Sequence, residues 1–188
     1  MSDESLITLR RVGAVLHQAG LVSRETVQDV LEHFGGHVDE QLTGYGTACA
    51  LEGFGVAVSV HADDIDSIHN GYPTLLANAV AVVGGDVIVS DVRVVEGGGA
   101  LDAGRSDRLE FVRDGRLVSI PAEHFAEDYY DHVAACHAIA ETARSEGSRS
   151  WHHTDFPRVP GTGYDSIMLF ATPAQAAILQ EHLGLTFR

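Results

Sequence analysis

Lysine is absent from the 188-residue chain: every one of its 12 basic side chains is an arginine. The missing amine excludes several chemistries together. A P-loop needs a lysine on the β- and γ-phosphates. Schiff-base nucleophiles and pyridoxal-phosphate enzymes need the same group, and so does the phosphate-binding strand of a protein kinase. Positive charge is scarce altogether, because 27 Asp and Glu give a formal net charge of -15. A surface of that sign repels phosphate backbones, whose binding depends on Lys and Arg displacing counterions, so nucleic acid is not an expected partner.

Cysteine is equally sparse. Cys49 and Cys136 are the only two, too few for a disulfide framework or a structural zinc cluster. No apolar run approaches the ~20 residues that span a bilayer, so no membrane association is expected. The opening MSDESLITLRR lacks the basic and apolar regions of a secretory signal. Low lysine with abundant Ala, Val, Gly and Arg fits a GC-rich genome, and the expected compartment is a bacterial cytoplasm.

What remains is ordinary globular composition, 45% hydrophobic and 21% charged, at a length that suits one domain. Residues 1–36 read as a helical hairpin. Leu6, Leu9, Val12, Val15 and Leu16 recur at helical spacing up to Gly20. Val27, Val30, Leu31 and Phe34 then follow a Ser23 cap and stop at Gly35 and Gly36. The second helix is acidic, which argues against a DNA-reading helix-turn-helix.

Residues 45–120 read as antiparallel strands. TACALEGFGVAVSVH divides into two short strands near Gly53 and Gly55. LLANAVAVV and VIVSDVRVV read as hairpin arms about Gly84, Gly85 and Asp86. In the second arm Val87, Val89, Val92 and Val94 face inward, with Asp91 and Arg93 toward solvent. EGGGALDAGRS is a loop, and LEFVR and RLVSI pair across Asp114-Gly115, with Pro121 ending the strand. Residues 125–188 read as helix, strand and helix. The first helix carries Phe125, Tyr129, Val133, Cys136, Ala140 and Ala143 on its apolar stripe. A loop covers 147–164, IMLFA is a buried strand, and Thr172, Pro173 and Gln175 open a capped helix that ends at Gly184. Clustered strands predict an α+β fold, with one antiparallel sheet of about six to seven strands under the helical hairpin and two C-terminal helices.

Eleven histidines raise metal binding. His132 and Cys136 lie four apart on one helix, and His61 and Asp64 are the residues expected to join them. No HExxH, CxxC or HxH spacing supports this set. Cys136 and His137 point about 100° apart and cannot share a proton. No GxSxG elbow is present, Gly44-Tyr45-Gly46 opens no dinucleotide site, and the glycines at 97–99 read as a turn. The polar segment HADDIDSIHNGYP follows an apolar strand and is the expected binding region. It contributes Asp63, Asp64, Asp66, His69 and Tyr72, with Trp151, His152, His153 and Tyr164 as an opposing wall.

The expected function is a non-enzymatic, acidic protein-binding domain, immunity- or antitoxin-like, that neutralises a basic protein partner. The alternative is a small metal-dependent or acid-base enzyme built on the His/Asp cluster. A homo-oligomeric structural protein is a third option. No cofactor motif is present, and a divalent metal is the one cofactor the residues leave room for.

Overall fold

The computed structural model describes residues 6–61, 65–144, 146–157 and 165–188. Among these residues the chain runs α1 (Leu9–Gln18), α2 (Arg24–Phe34), α3 (Gly44–Gly53), β1 (Ala57–His61), α4 (Ile68–Val82), β2 (Val89–Val95), β3 (Arg105–Arg113), β4 (Arg116–His124), α5 (His132–Ala140), β5 (Ser150–Asp155), β6 (Asp165–Ala171), α6 (Pro173–Leu183) and β7 (Thr186–Phe187). The α+β class is as expected, and all strand pairing is antiparallel. The strands form two sheets instead of one, ordered β1-β6-β5-β7 and β2-β3-β4. No described helix is long and apolar enough to cross a membrane.

Two segments expected as strands are helices. TACAL lies in α3, where the Thr43 side chain caps the Gly46 N–H and Thr47, Ala48, Ala50 and Leu51 are buried. LLANAVAVV lies in α4, capped by Ser67, with Ile68, Tyr72, Leu75, Leu76 and Ala79 buried at helical spacing. Both are short and apolar nearly all round, so alternation and helical periodicity fit them equally. Their alanines favour the helix. Gly84 and Gly85, both at positive φ, end α4 and lead into β2 instead of closing a hairpin.

The four-stranded sheet separates two cores. Ala57, Ile167 and Leu169 pack with Val12, Leu16, Leu51 and Leu179 on one side. Val58, Val60 and Met168 pack with α4, α5 and the inner face of β2-β3-β4 on the other, around Tyr72, Leu76, Leu109, Phe111 and Ile139. Burial on both faces explains the unbroken apolar run of β6 over residues 167–171 and the lack of apolar–polar alternation at Ala57 and Val58 of β1. The three-stranded sheet is covered on one face only, as expected: Val94 is buried, and Arg93 pairs with Glu110 on the exposed side. A bulge between Ser90 and Arg93, with Asp91 at φ 54°, keeps Val89 and Val92 both toward the core.

Three further expectations are corrected. Pro121 lies within β4 opposite Arg108, where an edge strand tolerates the missing N–H. Asp131 caps α5 by accepting from the Val133 and Ala134 N–H groups, so the helix starts at His132. That start leaves Phe125 and Val133 exposed. Ser150–Asp155 is a strand inside the four-stranded sheet rather than a loop. At the C-terminal end, Thr172 and Gln175 form the expected reciprocal capping box. Thr172→Ala is expected to cost about 1 kcal/mol, read as a lower urea unfolding midpoint at unchanged slope.

Candidate functional site

β1 is an edge strand, and its free side forms the floor of a cleft of about 340 Å³ between α3 and α4. The Ser59 N–H points outward and donates to Glu52 Oε1 at 3.0 Å. The carboxylate thereby covers a strand edge that would otherwise invite pairing. Ser59 itself is 7% exposed, and its Oγ has no partner among the described residues. One wall is the face of α4 that carries Asn70, Thr74 and Asn78, spaced four apart, with Asp66 at the helix entrance. Tyr130 lines the cleft beside Gly71, where an added Cβ would lie 2.6 Å from its hydroxyl. Burial pushes the Tyr130 phenol up to about 12, so it stays protonated. His61 also lines the cleft, its Nδ1 3.3 Å from Asp165 Oδ1, and Tyr45 donates to the same carboxylate at 2.8 Å.

Behind α4 lies a buried polar network. Asp107 Oδ2 accepts from His124 Nδ1 at 2.8 Å. Asp107 Oδ1 accepts from Arg105 Nε at 2.7 Å and from the Gly97 N–H at 2.8 Å. His124 Nε2 lies 3.0 Å from the Tyr72 hydroxyl. A carboxylate only accepts, so Nδ1 is assigned the proton facing it. Burial raises the Asp107 pKa, but the bonds from Arg105, Gly97 and His124 outweigh it and hold the carboxyl below its usual range. Asp107 and His124 are at most 3% exposed, so this Asp-His-Tyr chain joins sheet to helix and offers no surface to a substrate.

No family model, curated protein or solved structure matches the chain.

The expected site residues divide accordingly. Asp63, Asp64 and Tyr164 lie outside the described residues. His61 and Asp66 enter the cleft. Tyr72 is fully buried in the network, not at a surface. Trp151, His152 and His153 do not face the cleft, because they belong to β5 and pair with Phe170, Leu169 and Met168. Trp151 Nε1 donates to Thr142 Oγ1 at 3.0 Å, and its ring packs on Phe170. Burial and the nearby Arg188 lower the His153 pKa.

Of the expected metal ligands, Asp64 lies outside the described residues, and His61, His132 and Cys136 do not form a converging group among those described. Burial pushes the Cys136 thiol up to about 11, which suits a packed side chain rather than a thiolate ligand. The group of three ligand-type side chains that does converge among the described residues is His69, Glu96 and Glu127, with ligand atoms within 4.8 Å of one another. All three are exposed, and Arg105 Nη1 lies 3.4 Å from Glu96. Sequence reasoning missed Glu52, Ser59, Thr74, Asn78 and Tyr130, and did not connect Asn70, which lay in the expected segment, with Thr74 and Asn78. Reading 68–82 as a helix would have placed three of them on one polar stripe.

Proposed function

We propose that the chain is an acidic recognition module whose β1–α4 cleft receives a basic segment of a protein partner. The carrying observation is the cleft lining: Glu52 and Asp66 supply two carboxylates, Ser59, Thr74, Asn70 and Asn78 supply neutral acceptors, and among the described residues no arginine lines it. Guanidinium and ammonium groups are matched by such acceptors. The net charge of -15 adds long-range attraction, which raises the association rate of a basic partner. Pairing concentrates that excess, because Arg10, Arg93, Arg105, Arg113 and Arg188 are each already bound to a carboxylate. In its finest form the role is antidote-like: the acidic surface covers the basic face of a toxic partner and blocks it.

An arginine-rich synthetic peptide is the direct probe. Calorimetric binding is expected to weaken at least about tenfold in the Glu52→Gln/Asp66→Asn double variant, a loss of about 1.4 kcal/mol. Glu25→Gln/Asp29→Asn on α2 removes the same charge elsewhere and is expected to leave affinity nearly unchanged. Equal losses in both pairs would reduce the interaction to undirected charge and overturn the cleft. Affinity should also fall with salt, since exposed charges are screened.

The convergence of His69, Glu96 and Glu127 favours a second reading, a divalent cation held by one imidazole and two carboxylates. The neighbouring Arg105 weakens it by offsetting the carboxylate charge. Titration with manganese, followed by relaxation broadening of amides near residues 69, 96 and 127, would decide. Broadening spread evenly over all the acidic surfaces would dismiss the site.

A further inference from the structure

A second cavity, of about 280 Å³, lies at the opposite end of α4, where Val83, Val87 and Phe170 meet the chain that follows α5. Its chemistry is the reverse of the acidic cleft, because Arg144 and Arg149 both line it. Arg144 is engaged by the backbone. Its guanidinium donates to the Asp86 carbonyl, at 3.0 Å from Nε, beyond the end of α4. That contact offsets the negative end of the helix dipole. Arg149 is not engaged in this way. It is half-buried, yet its side chain makes no hydrogen bond or ion pair among the described residues. The other described arginines that are at least half-buried do have partners: Arg11 on the His182 carbonyl, Arg105 on Asp107, and Arg113 on Glu141. Asp86 lines the cavity too but forms no ion pair with either arginine.

We propose that this cavity binds a small carboxylate, with its charged end on Arg149 and its apolar part against Val83, Val87 and Phe170. In a chain carrying 27 acidic residues, a half-buried guanidinium with no carboxylate partner among the described residues is a donor group awaiting an acceptor. Its planar fork matches a carboxylate bidentately. Val87 is 1% exposed and Val83 9% exposed, so the wall they form is apolar and buried. The volume lies just below the usual span for ligand pockets, which selects a small molecule. The site stands apart from the acidic cleft and does not depend on the protein-binding reading.

The chain carries its own reporter. Trp151 is the only tryptophan, and two of the side chains it touches, Thr142 and Phe170, line the cavity. Hexanoate is expected to change tryptophan emission saturably, and Arg149→Gln to weaken that response at least tenfold. Hexylamine, with the same tail and opposite charge, should give no saturable change, and inorganic phosphate should bind more weakly than hexanoate. Amide shifts in the wild-type protein should cluster at residues 147–149 and 170, a measurement that needs no variant. Equal responses to hexanoate and hexylamine, phosphate as tight as hexanoate, an Arg149→Gln variant that binds undiminished, or shifts elsewhere would each overturn the proposal.

Discussion

Asp107→Ala is expected to cost about 3–5 kcal/mol, the range for removing one partner of a buried ion pair. The side chain accepts from Arg105, the Gly97 N–H and His124 at 2.7–2.8 Å. Its loss orphans three donors at once, one of them the 8%-exposed Arg105. Urea unfolding at neutral pH measures the cost. Acid supplies an independent check. The Asp107 pKa is lowered in the fold, so its contribution is fully present above the ~3.9 of a free aspartate. It is lost as pH falls through the lower, folded value. The wild type should therefore lose more stability than the alanine variant across that acid window. A loss at neutral pH below about 1 kcal/mol would mean that Arg105 finds an equivalent acceptor, with Glu96 the nearest carboxylate available.

This network also shows where sequence reading stops. The hairpin was legible from Asp114-Gly115, but Arg105 falls in the expected loop, Asp107 lies outside LEFVR and His124 lies beyond the expected stop at Pro121. The full strands β3 and β4 put all three on the inner face. That face was expected to be apolar. Tyr72 then approaches from α4 to partner His124 Nε2, whereas the sequence reading leaves Tyr72 in a polar segment and takes only 75–83 as a strand. The misread α4 hid the cleft, and the shortened strands together with α4 hid the buried network. α1, α2, β3, β4, β6 and α6 were readable because each has a local marker: a Ser or Thr cap, an Asp-Gly turn, or an apolar run bounded by turn residues. α3 and α4 have caps too, Thr43 and Ser67, but their interiors lie under a sheet and lack a polar face broad enough to declare the helical period.

The site was legible in the same partial way. A polar segment following a buried strand was the right place to look, and His61 and Asp66 do reach the cleft. The opposing wall was misplaced because Trp151, His152 and His153 resemble a polar loop. In fact β6 pairs with all three, and β7 flanks the other side of β5 at Thr154 and Asp155. The apolar signature of a strand is weak there because hydrogen bonding from neighbours, not side-chain burial alone, holds it in the sheet.

The consecutive glycines at 97–99 are expected to respond to alanine in three different ways, although in sequence they form one uniform turn. At Gly97 an added Cβ would lie 1.8 Å from the Ser106 carbonyl oxygen, a backbone atom that cannot rotate aside. The same residue's N–H holds Asp107. Gly97→Ala must therefore push the end of β2 away from β3 and stretch a bond to a buried carboxylate, at a cost of about 3 kcal/mol. Gly98 meets nothing within 4 Å and has no left-handed φ. Its alanine variant should be neutral or slightly stabilising, by about 0.4–1 kcal/mol, through the unfolded chain. Gly99 has open space but a φ of 117°, so alanine there is strained by about 1–3 kcal/mol without touching Asp107. Unfolding of the three variants should rank them 97, 99, 98 in order of damage. The acid dependence separates the causes: Gly97→Ala should flatten the low-pH loss of stability as Asp107→Ala does, and Gly99→Ala should leave it unchanged. If Gly98→Ala proved as harmful as Gly97→Ala, close backbone approach at residue 97 would not be what fixes the turn.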